Sequence, residues 1–120
     1  MDATKLVVDI LKNALIVPVS TDMPRGESHA VPKRYVLVDL AGDQSDEFVL
    51  RPRISLTCWG DSDYDARGIA MSAVQALQEA AETHPYLSDV ALETMSREEW
   101  SRNGQGRYVA LLDLTINTDE

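Results

Sequence analysis

The stretch from Asp61 to Pro85 constrains the fold more than any other part of the chain. Ala66, Ile69, Ala70, Ala73, Val74, Leu77, Ala80 and Ala81 recur every three or four positions, the spacing of one helix face. Ser62 is placed to cap the start of that helix, and Asp65, three residues on, completes a capping box. The acids at Asp61, Asp63 and Asp65 suit the positive end of a helix dipole. Pro85 ends the run. The stripe is mostly alanine, so this helix can lie unusually close to whatever it covers, and the rest of the chain predicts a sheet.

Arg34-Tyr35-Val36-Leu37-Val38-Asp39-Leu40-Ala41 carries the strongest strand signal, with the aromatic and β-branched content of a buried pleated surface. A polar turn over Gly42–Glu47 follows. Phe48 to Trp59 resumes strand character, with Ile54, Leu56 and Cys58 on one face and Ser55, Thr57 and Trp59 on the other. Pro52 makes its early part an edge or a bend. Val90–Met95 and Arg107–Ile116 read as two further strands, with Asn103-Gly104 as a turn pair between them.

At the N-terminal end, Ala3, Leu6, Val7, Ile10 and Leu11 predict an amphipathic helix that stops near Asn13, a residue that tolerates the left-handed turn. Ala14–Val19 predicts a short strand, irregular or at an edge because Pro18 donates no hydrogen bond. Ser20–Lys33 has no apolar period and reads as a long flexible loop, of the kind that is usually functional or disordered. The order is helix, three strands, helix, two strands. The fold class is α+β: a single domain over residues 1–120, with one antiparallel or mixed sheet and the long alanine-rich helix on one face.

Composition narrows the function. With 11 basic and 20 acidic residues the net charge is -9, which leaves no electrostatic footprint for gripping phosphates. No run reaches the roughly 18 apolar residues of a membrane helix, and Met1–Asp9 lacks the layout of a signal peptide. A soluble intracellular protein is the expectation. Cys58 forms no intramolecular disulfide, being the sole cysteine, and reads as a small buried hydrophobe.

No catalytic set emerges, and nothing calls for a cofactor. Asp61, Asp63 and Asp65 imitate the start of a calcium loop, but the glycine and the bidentate glutamate that such a loop needs are replaced by Ala66 and Ser72. His29 and His84 each lack a second ligand at binding distance in sequence. Arg97, Arg102 and Arg107 make a basic cluster interrupted by Glu98 and Glu99, which reads as a solvated face. Trp100, set among charges, is either a flap over the core or an interface anchor.

Three stretches together resemble the tail terminator proteins of long-tailed double-stranded DNA phages. Val31-Pro32-Lys33-Arg34-Tyr35-Val36-Leu37-Val38-Asp39-Leu40-Ala41-Gly42 is similar to the family's proline, aromatic, alternating-valine strand, with Ala41-Gly42 where a glycine pair is commoner. Arg53–Ala66 resembles its strand, tryptophan, polar cap and alanine-rich helix. Gly106–Leu114 resembles its closing Arg-Tyr strand. The resemblance implies a non-enzymatic virion subunit at the head–tail junction, assembled in the host cytoplasm. It would form a ring, commonly hexameric and in some cases only on the tail, that caps the tail tube, stops its polymerisation and docks to the filled head. The implied partners are copies of itself, the tail tube protein, and neck or head-completion proteins. DNA would pass the acidic channel without specific binding.

On that basis the Ser20–Lys33 loop and the Asp43–Asp46 turn are candidate contacts with the tube or neck. Arg25, Arg51 and Arg53 are candidates for ion pairs between subunits, and Trp100 and Arg102 for the same interface. Two other readings compete: a neck or head-completion adaptor, and a small divalent-metal-dependent enzyme using Asp61, Asp63 and Asp65.

Overall fold

The computed structural model describes residues 2–21, 34–43, 49–98 and 106–117. Helix α1 spans Ala3–Ala14. Asp2 caps it: its carboxylate accepts from the backbone N–H of Thr4 at 3.0 Å and of Lys5 at 3.3 Å. Val7, Val8 and Leu11 form its buried face, and Lys12 sits in the last turn, where a cation is favoured. The helix does not end in a left-handed Asn13. That side chain donates to the carbonyl of Asp9 inside the helix, and the chain leaves through Leu15 in extended backbone. Ala14 therefore belongs to the helix, and the predicted strand shrinks to β1, Val19–Ser20, beyond Pro18.

Strand β2 spans Tyr35–Asp43, so Gly42 and Asp43 are strand rather than turn. The next strand is broken into β3, Val49–Leu50, and β4, Pro52–Gly60. Both pieces pair with β6, Gly106–Asn117, in one register: Leu50 faces Ile116 and Arg53 faces Asp113. The gap at Arg51 falls where Pro52 has no N–H to give the ladder. Strand β5 is longer than its sequence signal, Leu87–Glu98. Leu87 and Val90 anchor its first half in the core, while its polar C-terminal part is held by pairing with β6.

The sheet runs β1-β2-β4-β6, with β3 continuing β4 and β5 on the far side of β6. The β1–β2 pair is parallel and the rest are antiparallel, so the sheet is mixed.

Helix α2 spans Asp63–Thr83 and lies across β4, β5 and β6, while α1 covers β1 and β2 on the same side. Ser62 caps α2 by accepting from the Asp65 N–H at 3.1 Å. The predicted stripe is the buried one: Ala66, Ala70, Ala73 and Leu77 are at 0 % exposure, against Ile54, Leu56, Cys58, Ala110 and Leu112, also at 0 %. Each large side chain buried here contributes roughly 1.5–3 kcal/mol. The opposite sheet face, with Leu37, Ser55, Thr57, Val109 and Leu111, is only partly buried, and no described element packs over it.

Candidate interaction surfaces

The arginines organise the surface. Arg34, immediately before β2, grips Asp65 of α2 with two hydrogen bonds, Nε to Oδ2 at 3.0 Å and Nη2 to Oδ1 at 3.2 Å. Asp65 Oδ2 also accepts from the Asp61 N–H at 2.9 Å, one residue earlier than a standard capping box would place that bond. Arg97 of β5 reaches Asp63 at 3.0 Å. Two of the three aspartates that imitate a calcium loop are thus held by guanidinium groups. Among the described residues no cluster of three or more His, Cys, Asp or Glu side chains assembles to hold a metal.

Arg97 and Arg107 each pair with an acid, on opposite faces of the sheet. Arg97 turns to the helix side. Arg107, opposite Trp59 in the ladder, is bonded to Glu98 and lies 5.8 Å from the Trp59 ring centre. Tyr35 joins that end of the sheet with its ring 6.1 Å from Trp59, and both aromatics are buried.

The candidate contact residues fare differently. Arg53 lies on the face away from the helices, where its guanidinium bonds to Asp113 and Glu93, each at 2.9 Å. The hydrogen bond to Asp113, more than the charge of either carboxylate, raises its pKa above the ordinary arginine value. Its charge is therefore matched within the chain. Arg51 is exposed in the break between β3 and β4. Arg25, Trp100, Arg102 and His29 lie outside the described residues, as do most of the Ser20–Lys33 and Asp43–Asp46 segments. His84 ends α2, and its Nδ1 accepts from the Tyr86 N–H at 3.2 Å. Cys58 is wholly buried, and that burial pushes its thiol up to about 12.

Sequence reasoning missed one surface. Ala14–Val17 and the first turns of α2 enclose a groove of ≈ 430 Å³, walled by Arg34, Tyr64, Asp65 and Gly68 and floored by Ile69. On its rims Ile16 is 94 % exposed and Tyr64 84 %. The signal for it was a glycine inside an otherwise strong helical pattern. No helix of the described residues is long and apolar enough to cross a membrane.

This layout recurs in a virion. The chain matches a chain of the virion of a native gene transfer agent particle with a TM-score of 0.58 and 15% identity, over 97% of this chain and 86% of that one. At that identity the likeness is one of fold. A chain from Akkermansia muciniphila aligns over 97% of this chain and 75% of its own at a TM-score of 0.42 and 12% identity. No protein-family model and no curated protein matches the sequence.

Proposed function

We propose that the protein is a structural subunit of a phage-type virion, a tail terminator that closes into a ring on the tail tube, stops its growth and presents a surface to the head. The observation that carries this reading is that the same two-layer fold, over almost the whole chain, serves in the virion of a gene transfer agent particle. The three stretches that resemble tail terminators fall on β2, on β4 with the start of α2, and on β6, the elements that build the core. The charge of -9 suits a channel that DNA must traverse without sticking. The proposed partners are further copies of the chain, tail tube protein and head-completion proteins. The proposed contact residues are Arg25, Arg51, Arg53, Trp100 and Arg102, with Arg53 sharing its carboxylate partners with a neighbour.

The test is structural. Purified tails reconstituted with the protein, imaged by cryo-electron microscopy, should carry one ring of it at the head-proximal end of the tube. Tubes assembled without it should overgrow. Arg25→Glu should impair tail joining and leave the fold intact. Placement in the head-side neck, or tubes of normal length in its absence, would overturn the reading.

A further inference from the structure

The chain divides into an arm and a body. The arm is α1 with β1. The body is β2, β4, β5 and β6, with α2 lying across the last three. The arm packs on β2 and α2 and gives Val7, Val8, Leu11, Val17 and Val19 to the core, each at 9 % exposure or less. The ion pairs Arg34–Asp65 and Arg97–Asp63 hold α2 to the sheet without any arm residue. Among the described residues no ion pair joins arm to body. Where the arm turns from α1 toward β1 it stands clear of α2: the groove lies between them, and Ile16 is almost wholly exposed.

We propose that the arm is exchanged between copies, so that α1 and β1 of one chain dock on the β2 and α2 of the next. The fit itself names the occupant. The surface that holds the arm within a chain is present unchanged on every neighbour. The proposal takes its setting from the ring reading above and names the contact between its subunits.

The covalent link has the reach. β1 runs parallel to β2 with Ser20 beside Leu37, which puts Ser20 about 11 Å from Arg34. Residues 21–33, which join them, can span up to about 45 Å. That is enough for a body alongside as well as for the chain's own. Exchange also keeps the sum of contacts, since each one lost in a copy is regained in the next. Concentration then decides between the two arrangements. A tethered arm competes at a roughly millimolar effective concentration, a level that neighbours side by side on one ring also reach. An arm passed from each copy to the next is a head-to-tail contact, which repeats until it closes. Its apolar face also works against the mutual repulsion of copies that each carry a charge of -9.

The experiment places cysteines at Ser20 and Leu37, half-buried partners in the β1–β2 register, in a Cys58→Ala background. Neighbouring strands lie about 4.8 Å apart, within the span of a disulfide. The doubly substituted chain, Ser20→Cys with Leu37→Cys, should close its bridge within one chain at micromolar concentration. Failure to close would remove the register and the proposal with it. Chains carrying Ser20→Cys alone and Leu37→Cys alone are then mixed and oxidised from micromolar to millimolar concentration. A disulfide-linked heterodimer should appear, rise with concentration and stand well above the share that random collision gives. A heterodimer no commoner than that share at millimolar concentration would overturn the exchange. On purified tails the doubly substituted chain should link copy to copy. If imaged tails carry the ring but its copies are bridged only within themselves, the ring reading stands and the exchange falls. If the heterodimer forms and the tails carry no ring, the exchange stands and the ring reading falls.

Discussion

Gly60 and Gly106 face each other across β4 and β6, and the first turn of α2 crosses so close above them that neither position has room for a methyl group. A Cβ on Gly60 would lie 2.4 Å from the Ala66 backbone nitrogen, and one on Gly106 would lie 2.3 Å from the Ser62 carbonyl oxygen. The obstacles are backbone atoms, which cannot swing aside. The pair fixes how deeply α2 sits on the sheet, and so where Asp63 and Asp65 meet Arg97 and Arg34.

Gly106→Ala should therefore destabilise the fold by about 2 kcal/mol or more, in the range of overpacked cores. Urea unfolding followed by circular dichroism measures it. A loss below roughly 0.5 kcal/mol, the scatter of neutral surface changes, would show that the helix lifts away freely.

Gly68→Ala should act in the opposite direction. Its Cβ meets open space, so the substitution removes glycine's helix penalty and should stabilise the monomer by roughly 0.5–1 kcal/mol. The same unfolding assay, run at a concentration where the chain is monomeric, reads the sign directly.

Cys58 should resist alkylation in the native protein at pH 8 and react at once in denaturant. Burial raises its pKa to about 12, whereas the unfolded thiol ionises near 8.5. The folded state then holds the proton more tightly than the unfolded one. Its contribution is complete below about pH 8.5 and is lost as pH rises from there toward 12. Wild type should lose stability faster than Cys58→Ala across that alkaline range. Parallel curves would contradict it.

Asp2 titrates the other way. Its carboxylate accepts from the Thr4 hydroxyl, and then from the Lys5 and Thr4 N–H groups, and these bonds hold its pKa below the ordinary aspartate value. A depressed pKa gives stability that is present above about pH 4 and lost as pH falls through the folded value. Asp2→Asn keeps a capping oxygen but not the charge. Its thermal midpoint should lie below wild type at pH 6 and converge with it in acid.

The core was legible because its signals are local. The alternation of Ile54, Leu56 and Cys58 and the stripe from Ala66 to Leu77 both name the face that is buried. What the sequence left open was set by pairing. β5 extends three residues beyond each end of Val90–Met95 because β6 offers it a ladder, although residues such as Ser88 and Arg97 have no burial to gain. The partners of the arginines were equally hidden: Arg34 and Asp65 are 31 residues apart in sequence, and Arg53 and Asp113 are 60. Only the assembled sheet brings them together. The groove beside Ile16 was hidden for the same reason, since α1 and α2 meet there only after both have docked.

β6 sits between β4 and β5 and supplies Ala110, Leu112, Leu114 and Ile116 to the interior. A nascent chain that has emerged only as far as Gly104 has its helices and half a sheet, but no middle for them to close on. Completion of the core must therefore wait until the ribosome has released residue 117 or so, and any translation product cut short before that point has no closed core. The position of one strand thus acts as a quality gate, passing only chains read through to β6.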